Sequence, residues 1–437
     1  MDLATSAVPR PPSANKRRRA SVSTADALSN DVLCRIFVFL DILDLTRCSA
    51  VCKSWRTVIN KLNMLQLQYN KQQHMDSSGP SDASACMERL LNMQLEKLAI
   101  DQQRMSLQEG YINIHQWKGH SLGVSKCRMK MGFVLTGVGD KMMRLWSAES
   151  CKWLDEYSLP DKAPLIDFDF DEGKVVGLVG SRICIWRRIG TRDIFSSREG
   201  LFTKGLCMRY VDPLAVVGNE DGKVRVFDMY SRKISQIIKM HPGAVSSISF
   251  SDEQLIVSGS SLGTIAISDL SSDQQVATLG TTSSAGIRTL CLNPSSNLVF
   301  AGSSAGYASC WDLRMLRSLW ERRISPNVLY SMNHLRNDKS TLVVGGIDGV
   351  LRIVDQDSGE VLSRCIMRES NNNISNLTTP KNGSAVVEKK KAIRLCEDDR
   401  IDLMPNRPPI TCLAVGMQKV VTMHNDRYIR VWKFRTK

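Results

Sequence analysis

The segment Val216-Val-Gly-Asn-Glu-Asp-Gly-Lys-Val-Arg-Val-Phe-Asp228 carries the pattern that decides the fold of this chain. An apolar run leads into a Gly/Asp turn, and a second run then ends on a bulky residue, Phe227, six positions after Asp221. Short apolar runs separated by Gly, Asp and Asn are typical of β-strands joined by tight turns. The segment therefore predicts two neighbouring strands and the turn between them.

The same arrangement is repeated along the chain. The interval of six recurs in Asp140 to Trp146, Asp348 to Val354 and Asp426 to Trp432. Weaker copies end at Trp186, Ser268 and Trp311-Asp312. Successive endpoints are 40 to 43 residues apart, except residues 354 and 432, which are 78 apart. A period of this length with four strands per unit is typical of a β-propeller blade. We therefore predict seven blades over residues 111–437, with an Asn/Lys/Pro-rich insertion at 368–405.

The ring is predicted to close through a strand that precedes the repeats. The last unit has only three apolar runs, at 410–415, 418–423 and 428–434. The segment Tyr111 to Trp117 lies before the first blade and belongs to no repeat. Placed as the outer strand of blade seven, it leaves no open sheet edge between the first and last blades.

The first 110 residues lack the β-repeat pattern. Residues 1–27 are rich in Pro, Ser, Ala and Arg and are predicted to be a disordered basic tail. Within them, Lys16 to Arg19 fits a nuclear import signal and a solvated basic tail equally well. Residues 70–84 read as a flexible linker, and residues 85–108 as a connecting helix that holds the preceding module at a set distance.

Residues 28–66 predict two or three short helices. One apolar stripe is formed by Leu33, Ile36, Phe37 and Leu40, with Ser29 or Asn30 as its cap. A second period, with Asp44 placed to cap its start, comprises Leu45, Cys48, Cys52, Trp55, Ile59 and Leu62. About 40 residues bury large apolar side chains poorly. We therefore expect this module to complete its core against a partner.

Composition excludes several classes of protein. The 437 residues contain no apolar run that approaches the roughly 20 residues of a membrane span, and residues 1–27 lack the apolar centre of a signal peptide. The 13 cysteines include no Cys-x-x-Cys pair, which favours reduced core thiols and argues against a zinc site. We expect a soluble protein of the nucleus or cytoplasm, or of both, without metal or cofactor.

The candidate catalytic motifs are better explained by the repeats. His120, Thr136, Asp140 and Trp146 are spaced for a hydrogen-bonded network within blade one, and recurrence of the Asp favours a structural role. Two Gly-x-Ser-x-Gly matches, at 259–263 and 302–306, coincide with predicted turns between the second and third strands of blades four and five. No catalytic residue is predicted.

The chain is basic, with a formal charge of +14 from 58 Lys+Arg and 44 Asp+Glu. Residues 111–437 carry +11 of this charge. Two interpretations stay open: a generally basic surface, or a face that attracts acidic or phosphorylated protein segments or nucleic acid. Because the aromatic interleaving of single-strand binders is absent, a protein ligand is favoured over nucleic acid.

Two family resemblances follow from these residues. The segments Leu28-Ser-Asn-Asp-Val-Leu-Cys-Arg-Ile-Phe37 and Val51-Cys-Lys-Ser-Trp-Arg56 resemble an F-box, with Val-Cys-Lys-x-Trp-Arg as its most specific part. The usual opening Leu-Pro-x-Glu is replaced by Leu28-Ser-Asn-Asp31. Residues 111–437 resemble WD-40 repeats, with Trp311-Asp312 and Gly119-His120 as the residues that match best. This order is similar to that of F-box/WD-repeat substrate receptors of cullin-RING ubiquitin ligases.

The resemblance implies an α+β multidomain protein: a small all-α F-box at 28–66, a linker and helix at 67–110, and an all-β seven-bladed WD-repeat propeller at 111–437. It also implies that the F-box docks on a Skp-type adaptor. The residues carried over are Leu28, Val32, Leu33, Ile36, Phe37, Leu40, Leu45, Val51, Cys52 and Trp55. Some of them hold the module together and others face the adaptor.

The resulting hypothesis is a non-catalytic substrate-recognition subunit of an SCF-type ubiquitin ligase. The chain is expected to be a monomer within a hetero-complex, and its propeller to bind a protein substrate. Two alternatives stay open. A WD-repeat scaffold whose F-box-like segment packs on its own propeller predicts no adaptor binding. A chromatin or nucleic-acid module, which is less favoured, predicts an affinity that falls steeply with salt.

Overall fold

The computed structural model describes residues 29–37, 39–40, 42–61, 83–137, 141–160, 163–189, 194–196, 203–271, 274–281, 284–368, 386–396 and 407–435. Two compact units divide the chain, residues 1–100 and residues 101–437. The expectations for the tail at 1–27 and for Leu28 lie outside the described residues. So do those for Asp140 and for most of the flexible linker.

The first unit contains three short helices, as the sequence predicts: α1 (Asn30–Phe37), α2 (Ile42–Val51) and α3 (Lys53–Lys61). Ser29 caps α1, because its Oγ accepts the Val32 amide at 3.4 Å. The expectation for Asp44 is wrong: α2 begins at Ile42, so Asp44 lies in the first helical turn rather than at the cap. There its charge still complements the helix dipole. A fourth helix, α4 (Ala83–Glu109), spans the predicted connecting helix.

In the second unit, residues 111–435 form an all-β ring that follows the end of α4, which confirms the predicted fold class. Blade one comprises β2 (Lys126–Lys130), β3 (Phe133–Gly137), β4 (Met142–Ser147) and β5 (Trp153–Ser158). Blade two comprises β6 (Leu165–Phe170), β7 (Lys174–Val179), β8 (Arg182–Arg187) and β9 (Ile194–Ser196). Blade three comprises β10 (Gly205–Val211), β11 (Leu214–Asn219), β12 (Lys223–Asp228) and β13 (Lys233–Lys239).

Two further blades are also separate four-stranded antiparallel sheets. Blade four comprises β14 (Val245–Phe250), β15 (Leu255–Ser260), β16 (Thr264–Asp269) and β17 (Gln274–Gly280). Blade five comprises β18 (Ile287–Asn293), β19 (Leu298–Ser303), β20 (Tyr307–Asp312) and β21 (Arg317–Arg323).

Blades six and seven share one nine-stranded sheet. Blade six comprises β22 (Leu329–Asn333), β23 (Thr341–Gly346), β24 (Leu351–Asp355) and β25 (Val361–Met367). Blade seven comprises β27 (Cys412–Gly416), β28 (Lys419–Met423), β29 (Tyr428–Arg435) and β1 (Tyr111–Lys118). Between them lies β26 (Glu388–Leu395).

The predicted closure of the ring is confirmed. Strand β1 pairs antiparallel with β29 along its whole length, from Tyr111 opposite Arg435 to Lys118 opposite Tyr428. The first strand of the repeat region is thus the outer strand of the last blade. Trp117 of β1 packs against Trp146 of blade one, with ring centroids 5.6 Å apart, so this strand also contributes to the core between blades one and seven.

Strand β26 is a feature that the sequence pattern did not predict. It lies within the 368–405 insertion and pairs with β25 on one edge and with β1 on the other. Both strand edges are therefore satisfied, and the outer strands of blades six and seven are hydrogen-bonded into one sheet. Its Arg394 donates to the carbonyls of Leu107 and Gly110, each at 3.0 Å. The insertion thus holds the C-terminal end of α4 against the ring.

The inner strands of neighbouring blades are joined by side chains that accept backbone amides. This arrangement is found at several seams, in Asp167 with Met208, Thr289 with Met332, Ser331 with Leu413 and Cys412 with Cys127, at 3.0 to 3.4 Å. Inner strands of different blades do not pair as a ladder, so these contacts satisfy amides that burial would otherwise leave without partners.

The closure strand yields a test of stability. Replacing Trp117, which is fully buried, by alanine is expected to lower the free energy of unfolding by about 3–5 kcal/mol. The matched control is Tyr111→Ala on the same strand, where the ring is 65% exposed; it is expected to change stability by less than about 0.5 kcal/mol. Urea denaturation measures both. Equal losses for the two variants would contradict this account of ring closure.

Candidate partner-docking site

The helical module has a very small core. Among the side chains of this module that the structure describes, the buried apolar ones are Leu33, Phe37, Leu45, Val58 and Ile59. Phe37 meets the half-buried Trp55 edge to face, with centroids 5.4 Å apart and an interplanar angle of 66°. This aromatic contact joins α1 to α3. Phe37 and Trp55, the aromatic residues of the two predicted stripes, thus pack against each other within the module.

Beside this core, apolar side chains of α1 and the following turn face solvent. Val32 and Ile36 lie one helical turn apart and are 43% and 45% exposed, and Phe39 is 89% exposed. The Phe39 amide donates to the Ile36 carbonyl at 3.2 Å, so the turn continues directly from the helix. Val51, the last residue of α2, is 64% exposed. Exposed aliphatic and aromatic side chains on so small a module are typical of a protein-docking surface.

The structure sorts the residues that the F-box resemblance carries over. Leu33, Phe37 and Leu45 are buried and hold the module together. Leu40, Cys52 and Trp55 are partly buried, and Val32, Ile36 and Val51 are exposed. Leu28 lies outside the described residues. Phe39 was missed, although its position off the apolar stripe of α1 was a signal that it does not face the core.

In blade one the structure brings together three members of the predicted network. Thr136 Oγ1 accepts the Trp146 indole N–H at 2.9 Å and lies 2.8 Å from His120 Nε2. The Thr136 side chain is fully buried. A hydroxyl that is already bonded to two side chains and closed to solvent cannot attack a substrate, so the network is structural.

Other blades repeat the contact between a histidine and a hydroxyl. His424 Nε2 lies 3.0 Å from Thr422 Oγ1, which accepts the Trp432 indole N–H at 2.9 Å. In blade four, His241 Nε2 lies 2.9 Å from Ser258 Oγ. Repetition in three blades supports the structural interpretation, because a catalytic group is needed only once.

The recurring Asp of the repeats has a partner that the sequence analysis did not assign. It pairs with an Arg four residues later: Asp221 with Arg225 at 2.9 Å, Asp426 with Arg430 at 2.7 Å, and Asp348 with Arg352. The spacing Asp-x-x-x-Arg is visible in the sequence and was the missed signal. Each pair fixes the turn into the third strand of its blade. The two Gly-x-Ser-x-Gly segments also lie at second-to-third strand turns, as predicted.

A cavity of about 870 Å³ lies between the inner strands and is lined by residues of all seven blades. Blades one to three contribute charged groups and the later blades mostly neutral ones, among them Arg128, Asp169, Arg209, Ser249, Leu290 and Ala414. The channel is therefore electrostatically asymmetric.

Charged side chains of the inner strands, at the cavity and beside it, are paired with one another. Burial opposes the charge of Asp167, but Lys126 at 3.1 Å and Arg128 at 2.9 Å outweigh it and hold the pKa of this carboxyl well below its usual range. Burial and the neighbouring Arg128 lower the pKa of Arg209. Arg209 also lies 3.9 Å from Asp167, so this carboxylate connects the inner strands of blades one to three.

Among the described residues, no cluster of three His, Cys, Asp or Glu side chains is arranged to hold a metal ion. No helix in the described part of the chain is long and apolar enough to cross a membrane.

Comparison with known proteins agrees with this architecture. An F-box-like family model matches residues 30–64, which include α1, α2 and α3. The model of the WD domain, G-beta repeat, matches residues 273–312, from the outer strand of blade four to the third strand of blade five. An F-box/WD-40 repeat-containing protein of Arabidopsis thaliana is 50% identical over 446 residues, covering 97% of this chain and 97% of that protein.

The fold and the exposed helical module define a class: proteins that combine an F-box-like docking module with a WD-repeat propeller. The chain belongs to the F-box/WD-40 repeat-containing family. Members of this class usually serve as non-catalytic receptors in ubiquitin ligase complexes.

The histidine of blade seven predicts a pH dependence of stability. Burial and the nearby Arg430 lower the pKa of His424 to about 4. The unfolded chain takes up this proton near pH 6.5. From pH 6.5 down to 4 the unfolded state therefore binds more protons, and this group lowers the free energy of unfolding by about 1 kcal/mol per pH unit within that range.

His424→Gln keeps hydrogen-bonding capacity but does not titrate. In this variant the free energy of unfolding is expected to fall less steeply between neutral and mildly acidic pH. Urea denaturation across that range measures the difference. Equal slopes for the variant and the natural chain would show that His424 is not held neutral in the folded state.

Proposed function

We propose that this chain is the substrate-recognition subunit of an SCF-type ubiquitin ligase, with the helical module docking on a Skp-type adaptor and the propeller presenting a protein substrate. The observation that carries the proposal is the apolar surface of Val32, Ile36 and Phe39 beside a small core, in which five of the described apolar side chains are buried. The family match over the same residues supports it.

The energetics of such a surface are sufficient for a stable complex. Full burial of one large aliphatic or aromatic side chain contributes about 1.5–3 kcal/mol. Three such anchors, surrounded by contacts that exclude water, are typical of the small set of residues that dominates binding energy. Because these side chains are already exposed and ordered on a helix and its turn, little rearrangement opposes docking.

The mechanism that follows is proximity. A receptor of this type holds its substrate near a ubiquitin-charged enzyme supplied by the rest of the complex and so raises the effective concentration of the reacting groups. The candidate catalytic motifs serve the fold: Thr136 is buried in a blade network, and the two Gly-x-Ser-x-Gly segments lie at turns between strands. The chain's contribution to transfer is therefore binding and orientation.

The proposal is tested by mixing the full chain with a purified Skp-type adaptor and measuring binding by gel filtration and calorimetry. The double change Val32→Asp and Ile36→Asp removes two exposed anchors and leaves the module core intact. The dissociation constant is expected to rise by at least about 100-fold.

The matched control is Ile189→Asp, which places the same charge at a 79% exposed apolar residue of the propeller. It is expected to bind the adaptor as the natural chain does. Unchanged circular dichroism for all variants establishes that they fold. An unaltered chain that elutes without the adaptor would overturn the proposal and favour a scaffold outside the ubiquitin system. Equal binding by the double variant would remove this surface from the interface.

A further inference from the structure

We propose that the outward side of β26 and its neighbouring strands is a docking surface for an extended acidic segment of a partner protein. The lysine face is our name for this surface, formed by Arg368, Lys389, Lys391, Lys433 and Arg435 with Tyr111 and Ile393 among them. The pairing, burial and charge of these residues point to such a surface, and its role is independent of adaptor binding by the helical module.

The two sides of β26 are chemically different. Side chains alternate along a strand, and Lys389, Lys391 and Ile393 are the exposed set. On the opposite side the cations have partners within the protein. Lys390 lies 3.7 Å from Glu388, and Arg394 caps the carbonyls of α4. The inward cations therefore serve the fold, and the outward ones do not.

Register places further positive charge on the outward side. Asn113 of β1 stands opposite both Lys391 and Lys433, so these two lysines share a face across three strands. Tyr111 stands opposite Arg435 in the same way. On the edge of β26 that pairs with β25, the Arg368 amide donates to the Lys391 carbonyl at 2.9 Å. This bond places Arg368 next to Lys391.

Among the described residues, the lysine face has few neutralising carboxylates. Glu149 lies close to it: a hydrogen bond from Lys419, and then the charges of Lys419, Lys433 and Arg435, lower the pKa of this carboxyl. Lys389, Lys391, Arg368 and Arg435 form no ion pair there, and Lys433 donates to the backbone carbonyl of Glu149 at 2.7 Å. The carboxylate of Glu149 is itself engaged by Lys419. The excess of positive charge affects His115, whose pKa is lowered by burial and then by Lys433, Lys389 and Arg435. Like charges held on adjacent strands repel one another, and a bound polyanion relieves that repulsion.

The geometry favours an extended polypeptide. Lys389 and Lys391 are two residues apart on a strand, a separation of about 6.8 Å. Alternate side chains of an extended peptide have the same spacing, so acidic residues at every second position can meet both lysines. Both edges of β26 are already paired. The segment therefore lies over the sheet and binds through side chains rather than adding as a further strand.

The apolar residues of the lysine face distinguish a protein from a nucleic acid. Ile393 is 36% exposed and Tyr111 is 65% exposed, and both lie among the cations. An acidic segment that also carries aliphatic side chains matches this mixture. Sequence-tolerant binding of single-stranded nucleic acid relies on several stacking aromatic rings, whereas this face offers one.

The test uses the full chain and a fluorescein-labelled oligoglutamate peptide, with binding followed by fluorescence anisotropy near physiological salt. The change Lys389→Glu with Lys391→Glu is expected to weaken binding by at least about tenfold. The matched control is Lys233→Glu with Lys239→Glu, which makes the same change of charge at two exposed positions of β13 in blade three. It is expected to bind almost as the natural chain does.

A second variant, Lys389→Gln with Lys391→Gln, guards against misfolding by removing the charge without reversing it, and thermal denaturation checks the fold of each variant. Equal weakening by the blade-three control would attribute binding to general charge and overturn the proposal. No measurable binding by the natural chain would do the same.

Two further arms identify other occupants. A labelled single-stranded oligonucleotide that binds more tightly than oligoglutamate, and loses affinity with the same lysines, would assign the lysine face to nucleic acid. Neutralising Glu397, Asp398 and Asp399, the acidic run that follows β26 in the sequence, tests an occupant within the chain. Tighter oligoglutamate binding by that variant would assign the face to this internal segment. Either result would overturn the proposal of an external partner.

Discussion

The stability of this ring of β-sheets depends on a strand from before the first blade, which completes the last sheet. Here that constraint is met by β1, which pairs along the full length of β29. Without it, the edge of β29 would expose unpaired backbone groups, and Trp117 would leave the cluster that joins blades one and seven. The repeat unit of the matching WD-domain model is displaced from the blade by one strand in the same way: it begins on the outer strand of one blade and ends on the third strand of the next.

Closure of the ring also allows the insertion to form a strand that is paired on both edges. A strand that follows blade six has two edges to satisfy, and β26 finds both partners because β1 already stands at the rim of blade seven. Its inward Arg394 then reaches the end of α4, whose last residues belong to the propeller unit. One strand thereby joins two blades and a helix terminus, while its outward lysines stay available to solvent.

The sequence predicted the features that repeat. A Gly/Asp turn is needed at the same place in every blade, so the repeat period can be measured from the sequence. Because the last repeat contains only three apolar runs, the strand that begins at residue 111 could be assigned as its missing fourth strand. Strand β26 was not predicted, because Glu-Lys-Lys-Lys reads as a charged run and becomes a strand only through pairing with its neighbours. In the helical module, the apolar stripe identified the core residue Phe37. It could not identify Phe39, which lies off the stripe, or show that Ile36 is exposed.

We propose a division of roles within the chain, in which the small helical module docks on the adaptor and the closed ring presents a protein substrate. Hydrogen exchange of the full chain, with and without a Skp-type adaptor, tests this division most directly. We expect slowed exchange in residues 30–61, strongest in α1 and the turn at Phe39, with the amides of blades one to seven unchanged. Unchanged exchange in α1, or protection of the propeller instead, would contradict it.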